Sequence, residues 1–457
     1  MIEQDVDLSY QTNVEAPPEP KPVLGIVDAV AIIVGIVIGA GIFRTPSLVA
    51  SNTATEAIFL SAWLLGGIIS LVGALCYAEL TSAFPNTGGD YHFLHKAYGK
   101  RVAFLFAWAR LSVIQTGSIA LLAFIFGDYM TQIFSLGPYS SVIYAALVVI
   151  SLTTINILGV SFGTGAQKLF TAFEVGGILL VIICGLLLAP GSMPAPPAGA
   201  ENASGVTTTS MGLAMVIVLL TFGGWNEAAY ISAELRSGKK QMAKALIISI
   251  IIITAVYLLI SVTYLKVLGL SGMARSEAVA VDLIQVTLGR SGALLIAVLV
   301  AISALTSANA TIFTGARTNY AMGKDFHIFA GLAKWNRKTS APVNAFIAQG
   351  VISLILVCLG FITRNGFETI IEYTAPVFWF FFLLTGLSLF ILRRKEPDVK
   401  RPFRVPLYPV TPIVFCFTSG YLLYSSLMYT GMGAFVGIGV LFAGILIFPI
   451  LNKPKDL

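Results

Sequence analysis

Two clusters of glycine interrupt long apolar runs of this sequence. The first lies in Gly35-Ile36-Val37-Ile38-Gly39-Ala40-Gly41-Ile42-Phe43 and the second in Thr221-Phe222-Gly223-Gly224-Trp225-Asn226-Glu227. Glycine costs about 1 kcal/mol relative to alanine inside a helix, so such clusters mark places where a helix can unwind. Freed amides at a half-helix N-terminus suit a carboxylate, and freed carbonyls at a half-helix C-terminus suit an ammonium. Those two groups together describe an α-amino acid.

The helices that carry these breaks must lie in lipid. The chain has 457 residues, of which 57% are hydrophobic and 11% charged, and its mean hydropathy is +0.87. A spanning helix needs about 20 largely apolar residues. Runs of that length recur from Val23 almost to the C-terminus and leave no room for a soluble domain. Because backbone amides in hydrocarbon must pair within their segment, and the alternation of a barrel strand is absent, the sequence predicts an all-α membrane protein.

We predict about twelve transmembrane helices, with the glycine clusters in the first and the sixth. Their predicted bounds are 24–50, 56–83, 99–133, 141–158, 165–189, 210–235, 242–270, 292–322, 343–362, 367–393, 408–430 and 433–451. Glycine pairs such as Gly66-Gly67 often only permit close helix packing. The matched positions of the two breaks instead favour two inverted five-helix repeats with a substrate site between them.

This reading divides the chain into seven parts, listed here in order. They are a disordered cytoplasmic tail (1–22), the first repeat (23–190), an external loop (191–209), the second repeat (210–393), a cytoplasmic loop (394–407), the last two helices (408–451) and a cytoplasmic tail (452–457). A second external loop with a short helical pattern is expected at 271–291.

Basic residues mark one side of the membrane. Groups such as Lys239-Lys240 and Arg393-Arg394-Lys395 fall in loops on the side of the termini, whereas the opposite loops hold little beyond Arg275, Arg290 and Arg364. The positive-inside rule places both termini in the cytoplasm and the protein in the cytoplasmic (plasma) membrane. The formal charge of +6 is therefore read as an orientation signal, and no nucleic-acid partner is expected.

The sequence carries no pattern for catalysis or for a resident metal. No Ser/His/Asp constellation, zinc helix motif or phosphate-binding loop is present, and the cysteines fall in apolar segments without paired spacing. We expect no enzyme activity, no cofactor and no metal site. An ion channel is the closer rival to a carrier, because glycine-rich breaks can also line a pore.

Short motifs along nearly the whole chain resemble the amino acid–polyamine–organocation (APC) superfamily, and within it the L-type amino acid transporters and their bacterial relatives. In chain order they are Gly39-Ala40-Gly41-Ile42-Phe43, Tyr77-Ala78-Glu79-Leu80, Gly88-Gly89-Asp90-Tyr91, Phe222-Gly223-Gly224-Trp225-Asn226, Arg317 and Arg401-Pro402-Phe403-Arg404-Val405-Pro406. Each motif is short, but this order is a strong match. The resemblance implies the leucine-transporter fold, with a 5+5 inverted repeat, two appended C-terminal helices and alternating access.

The resemblance also implies roles for residues at the two breaks. The substrate carboxylate would meet the amides of Ala40 and Gly41, and the ammonium would meet carbonyls around Ile36, Val37 and Phe222. We include Gly39, Gly223 and Asn226 among the substrate-binding candidates on the same motifs. Phe222 and Trp225 flank the second break, which favours a gate over simple packing.

The fifth helix departs from the pattern of the resembled family. Phe170-Thr171-Ala172-Phe173-Glu174-Val175 is similar to a segment where many relatives carry a lysine in place of a structural sodium ion. A carboxylate can bind a cation or take a proton, so Glu174 is a candidate for ion coupling. Thr306 and Ser307 could add oxygen ligands beside it, although such hydroxyls are commonly structural.

Ionisable residues inside spanning helices are costly and are therefore candidates for function. Glu79 and Glu234 lie toward helix ends, which favours structure or gating, with Arg110 and Arg317 as pairing partners. For the deeper Glu174 and Glu227, a coupling or substrate role and simple polar packing both stay open. Burial favours the protonated form of such acids, which a proton-coupled carrier can use.

The predicted function is transport of small, neutral L-amino acids, as an exchanger or a symporter coupled to protons or sodium. Some relatives that accept cationic amino acids place an acid where this chain has Gly223, which favours neutral substrates. Glu227 keeps a cationic amino acid or polyamine as the alternative. The expected partners are the amino acid and membrane lipid. The loop Ser135–Ser140 has no cysteine that could hold a disulfide-linked heavy subunit.

Overall fold

The computed structural model describes residues 22–188, 208–236, 240–276, 278–289, 292–360, 366–430 and 432–451. Within these ranges the chain is helical, and its only β contacts are two isolated bridges. The expectations for the tails at 1–22 and 452–457 and for the loop at 191–209 fall almost entirely outside the described residues.

Twelve helical segments follow one another in the predicted order. They are α1 (Ile26–Val37 and Thr45–Ala50, around a 3₁₀ turn at Ala40–Phe43), α2 (Glu56–Ala83), α3 (Lys100–Ala109 and Gln115–Ile133, around a π turn at Arg110–Ile114), α4 (Ser140–Leu158), α5 (Val160–Leu187), α6 (Thr208–Thr221 and the 3₁₀ helix Trp225–Glu234), α7 (Lys240–Arg275), α8 (Gly292–Asp325), α9 (Val343–Gly360), α10 (Gly366–Lys395), α11 (Val410–Thr430) and α12 (Met432–Leu451). Three short helices, Asp90–Tyr98, Val279–Leu288 and His327–Ala333, lie in the connections.

The helices have the length and apolarity that a membrane requires. Among the described residues, nine helices can cross a bilayer, and α1, α9 and α12 add shorter apolar helices. Large apolar side chains such as Leu147, Ile183 and Phe417 are exposed along them, as lipid contact demands. The prediction of an all-α membrane protein with about twelve spanning helices is confirmed, and the arrangement fits a leucine-transporter fold.

Several predicted boundaries are wrong by a few residues. Helix α5 begins at Val160 rather than at 165, because Gly163, which reads as a helix breaker, lies inside the helix. A β-carbon there would lie 2.4 Å from the Asn156 side-chain oxygen, so glycine permits close packing against α4. Helix α7 continues to Arg275 across a break at Gly269, and α8 continues to Asp325. The helical pattern within 271–291 corresponds to Val279–Leu288.

Helix α1 lies at the centre of the bundle, against α5, α7 and α8. A β-carbon on Gly35 would come within 2.4 Å of Thr171 on α5 and 2.5 Å of Thr306 on α8. Ile32 and Ile33 are also fully enclosed. Helix α1 is therefore closely packed on all sides up to the break at Gly39. This packing fixes the position of the unwound residues.

Candidate functional site

The first break exposes backbone polar groups in the middle of α1. The helix ends at Val37, and Gly39 is extended with φ −98° and ψ −172°. Among the described residues, no backbone acceptor meets the amides of Ala40 and Gly41. A β-carbon on Gly41 would lie 3.5 Å from the Thr221 side chain on α6, so the position faces the other break. The two amides assigned to a carboxylate thus have no backbone partner among the described residues, and Gly41 lies beside α6.

The second break lies directly against the first. Gly224 is left-handed, with φ +108°, and a β-carbon there would lie 2.4 Å from the Ile36 side chain. Any other residue at Gly224 would be strained and would also push α1 away. The Thr221 hydroxyl donates to the Thr45 hydroxyl across the same interface at 3.0 Å. The structure brings Ile36 and Gly41 of the first break next to the second break at Thr221 and Gly224, which is far away in sequence.

One tyrosine hydroxyl connects the two breaks. Tyr257 Oη on α7 lies 2.7 Å from the Val37 carbonyl oxygen and 3.1 Å from the Thr221 carbonyl oxygen. These carbonyls end the first halves of α1 and α6, where helical acceptors are left over. The Val37 carbonyl also accepts from the Gly39 amide at 2.8 Å. Tyr257 is therefore a positioning residue that the sequence analysis did not identify.

The two candidate gate residues point into different aromatic clusters. Phe222 is fully buried, with its ring centroid 4.9 Å from that of Tyr257 and 6.3 Å from that of Trp63. Trp225 packs against Tyr77 at 5.1 Å and against Phe382 on α10 at 5.4 Å. Each ring fixes one end of the second break against neighbouring helices. A role as a gate stays a prediction for both residues.

A small cavity opens beside the second break. Its lining includes Gly223, Gly224 and Asn226 from α6, Trp379 and Phe382 from α10, and Ser419 from α11. Asn226 is 2% exposed, and the indole nitrogen of Trp379 is buried without a hydrogen-bond partner among the described residues. Trp379 lies in an apolar stretch, Phe378 to Phe382, that gives no sequence signal of a site. The cavity places it near the predicted substrate region.

Glu174 reaches the first break from α5. It is 1% exposed, its Oε1 atom accepts a hydrogen bond from Ser303 on α8, and its Oε2 atom has no partner among the described residues. The Ser303 hydroxyl also lies 3.3 Å from the Ile38 carbonyl oxygen. The carboxylate therefore lies next to the unwound backbone of α1, with no salt bridge to a described Lys or Arg.

The two hydroxyls predicted to lie beside Glu174 face different ways. Ser307 Oγ donates to α1, 3.1 Å from the Gly35 carbonyl oxygen and 3.4 Å from that of Ile36. Thr306 Oγ1 donates back to Ile302 in its own helix, and its methyl group faces Gly35. Ser303, one turn before Ser307, is the hydroxyl that contacts Glu174. Spacing i, i+4 on α8 is the signal that could have identified it.

Glu227 has a different environment from Glu174. Arg110, in the π turn of α3, donates to both carboxylate oxygens at 2.9 and 2.6 Å, and both residues are buried. The guanidinium also lies 4.0 Å from the ring centroid of Tyr230. Such two-point pairs are strong and directional. Glu227 is thus held in place. The expected pairing of Arg110 with Glu79 or Glu234 is wrong, because the π turn of α3 places its guanidinium against Glu227 of α6.

Two further acids are paired toward the ends of their helices. Arg317 on α8 donates to Glu234 at 2.5 and 2.8 Å, as predicted. Glu79 on α2 accepts from Arg393 at 2.8 and 2.5 Å and lies 3.4 Å from Arg401. Beyond the helix ends, the amide of Leu24 donates to the Glu234 carbonyl at 2.8 Å. The contacts of Glu234 tie the end of α6 to α8 and to the residue Leu24 that precedes α1. Within the described ranges, no group of three His, Cys, Asp or Glu residues could hold a metal ion.

These features define an all-α, multi-pass membrane protein with two helices broken at a shared centre. Comparison with known proteins gives the class: residues 24–450 match the family described as Amino acid permease. The chain is 33% identical over 410 residues to human b(0,+)-type amino acid transporter 1, covering 89% of this chain and 82% of the relative. It is 30% identical over 446 residues to human Large neutral amino acids transporter small subunit 2, covering 95% and 82%.

The chain belongs to the amino acid permease family of the APC superfamily, as its motifs predicted. Its relatives are amino acid transporters and not enzymes.

Proposed function

We propose that this protein carries small, neutral L-amino acids across the cytoplasmic membrane by alternating access. The observation that supports this most is the meeting of the two breaks. The amides of Ala40 and Gly41 have no backbone partner among the described residues, and Gly41 lies beside Thr221 of α6. The Tyr257 hydroxyl contacts the carbonyls that end both first halves. Donors and acceptors on opposed half-helices suit the carboxylate and ammonium of an amino acid.

A neutral side chain is favoured by the charges around the breaks. A cationic substrate would need a free acid, and both oxygens of Glu227 already bind Arg110. Position 223 is a glycine, and one of the relatives is named for large neutral amino acids. A cationic amino acid or a polyamine is the alternative. Purified protein in liposomes, given a panel of labelled amino acids and polyamines, distinguishes them by which compounds accumulate and saturate.

The same liposomes distinguish a carrier from a channel. A carrier shows saturation and faster uptake when unlabelled amino acid is inside, because the site then returns loaded and avoids the slower return of the empty site. A channel shows conductance without such trans-stimulation. Conductance without saturable uptake would contradict our proposal.

The first site-directed test addresses the α1 break. Gly41→Leu should place a branched side chain at the proposed carboxylate position, against Thr221. Overpacking of this kind costs about 1–3 kcal/mol, so we expect about a 10- to 100-fold loss of substrate affinity with a smaller change in protein abundance. Uptake equal to the parent protein would show that this turn does not face the substrate.

We further propose that Glu174 couples transport to a proton or a sodium ion. A carboxylate with one hydrogen bond and no salt bridge to a described cation is costly to keep charged in an apolar interior. Protonation or a bound cation would remove that cost. Either event would act on Ile38, since Ser303 contacts both groups.

Glu174→Gln keeps the shape of the side chain but cannot titrate. We expect it to lose gradient-driven accumulation while exchange of internal for external amino acid survives, measured with independent proton and sodium gradients. Retention of both accumulation and the parental pH profile would exclude the coupling role. Glu174→Lys is the matched test: gradient-independent exchange by this variant would mean that the site is equivalent to the one that lysine fills in the resembled relatives.

We also propose that the chain forms inverted repeats at 23–190 and 210–393 and that both termini are cytoplasmic. Cysteines placed in the loops and labelled from each side of the membrane test this orientation. One relative is named as a small subunit, but the loop Ser135–Ser140 carries no cysteine for a disulfide. We therefore propose that transport needs no disulfide-linked heavy subunit, which activity of the purified chain in liposomes would test.

A further inference from the structure

Another buried carboxylate lies away from the substrate breaks, in the connection between α2 and α3. Asp90 begins the short helix Asp90–Tyr98 and is 3% exposed. Its Oδ2 atom accepts from the Tyr230 hydroxyl at 2.9 Å. Its Oδ1 atom is buried with no hydrogen-bond partner among the described residues, and so is the hydroxyl of Tyr77. Asp90 therefore has one hydrogen bond of good geometry, from Tyr230, with the Tyr77 hydroxyl as a further polar neighbour.

The charges around Asp90 do not balance. Arg110 from α3 is the cation of this cluster, and its two terminal nitrogens bind Glu227 from α6. The other groups facing Asp90 are the neutral hydroxyls of Tyr77 from α2 and Tyr230 from α6. Burial raises the pKa of Asp90 to about 6. One cation thus serves two carboxylates.

Charged neighbours on the helix of Asp90 are engaged elsewhere. The Tyr91 hydroxyl donates to Asp325 at 2.6 Å, and Lys96 pairs with Glu396 at 2.6 Å. Burial lowers the pKa of His92 to about 4, so this imidazole is neutral near neutral pH. These groups do not neutralise Asp90.

The connection that holds Asp90 is pressed against the second half of α6. Gly89 has φ +51°, and a β-carbon there would lie 2.5 Å from the Tyr230 ring. The backbone amide of Asn86 donates a hydrogen bond to the Ser232 hydroxyl of α6 at 3.2 Å. Movement of this half of α6 would separate Tyr230 from Asp90 and admit water to the carboxylate.

We propose that Asp90 is a proton-binding site. When Asp90 is protonated, it stabilises the position of the second half of α6 seen in this structure, which we call closed. When Asp90 is deprotonated, it favours release of this half-helix. This inference goes beyond the coupling role of Glu174 and rests on the proposed alternating access. A proton removes the uncompensated charge of the closed cluster, whereas water solvates the carboxylate once the cluster opens.

The direction of the pH effect follows from the two environments. A hydrated aspartate has a pKa of about 3.9, below the value of about 6 in the closed cluster. The closed form is therefore most favoured at low pH and loses this advantage as the pH rises through about 6. Between about pH 7 and about pH 5 the closed form should gain about tenfold over the open form.

The test introduces Ala228→Cys, at a fully buried position, into a full-length chain whose native cysteines are changed to alanine. This protein is reconstituted in liposomes, and the rate at which the new cysteine reacts with a thiol reagent added from the cytoplasmic side is measured. Each rate is divided by the rate for the same protein unfolded at the same pH, which removes the pH dependence of thiol chemistry. We expect the corrected rate to fall about tenfold from about pH 7 to about pH 5.

Three variants decide the assignment. Asp90→Asn should abolish the pH dependence, and Glu174→Gln should retain it. Tyr230→Phe, which removes the hydrogen bond to the charged carboxylate, should move the midpoint to higher pH. Persistence of the parental pH dependence in Asp90→Asn, or an unchanged midpoint in Tyr230→Phe, would overturn the proposal. Labelling that changes with substrate but not with pH would overturn the proposed role of Asp90 and would still support alternating access. Labelling that responds to neither would contradict alternating access as well.

Discussion

The two halves of α6 are held by different kinds of interaction. The half after the break is tied by two arginine–glutamate pairs, Arg110 with Glu227 and Arg317 with Glu234. The end of the first half is held to α1 by the neutral hydroxyls of Tyr257 and Thr221. A neutral hydrogen bond contributes about 0.5–1.5 kcal/mol, whereas breaking one partner of a buried ion pair costs about 3–5 kcal/mol. Neutral contacts therefore surround the proposed substrate position, and buried ion pairs hold the second half of α6.

The same contrast separates two glutamates that look alike in sequence. Glu174 and Glu227 are both buried, but Glu227 has a bidentate arginine and Glu174 has a single serine. Burial alone therefore does not distinguish a structural acid from a candidate for proton or cation exchange. The charge of the hydrogen-bond partner is the difference between Glu227 and Glu174.

The largest expected effect tests whether Arg110–Glu227 is structural. Arg110→Ala leaves the carboxylate of Glu227 buried without its cation, so we expect a loss of about 3–5 kcal/mol of stability. Thermal unfolding of the detergent-solubilised protein measures it. The double variant Arg110→Leu with Glu227→Leu should recover much of the loss, because no buried charge is left unpaired. Equal unfolding temperatures for the single variant and the parent protein would remove the contrast with Glu174.

The breaks were predictable from sequence, but the partners of the charged residues were not. Glycine acts locally, so Gly39 and Gly224 mark unwinding wherever the helix lies, whereas Gly35 stays helical and permits close packing. Glu227 is 117 residues from Arg110, and Glu174 is 129 residues from Ser303. Those distances are closed only by the packing of whole helices, and no periodic pattern within one helix records them.

Tyr257 gives an intermediate effect, because one hydroxyl connects both breaks. Tyr257→Phe keeps the ring against Phe222 and removes the contacts to Val37 and Thr221. A loss of about 0.5–1.5 kcal/mol should lower substrate affinity about two- to tenfold, measured by competition binding. Tyr264→Phe is the matched control on α7, since its buried hydroxyl has no partner among the described residues. If the control weakens binding as much as Tyr257→Phe, the hydroxyl does not hold the breaks.

The smallest expected effect compares two serines one turn apart on α8. Ser303 contacts Glu174 and Ile38, whereas Ser307 contacts only the α1 carbonyls of Gly35 and Ile36. Each variant to alanine removes neutral hydrogen bonds, so we expect no more than about a tenfold change in transport. Ser303→Ala should reduce gradient-driven accumulation more than exchange, because it disturbs the proposed coupling acid. Ser307→Ala should reduce both equally, because it loosens α1 without touching Glu174. The ratio of accumulation to exchange, measured in the same liposomes, separates them. Identical ratios for the two variants would mean that the Ser303–Glu174 contact is ordinary helix packing, like the other hydroxyl contacts around α1.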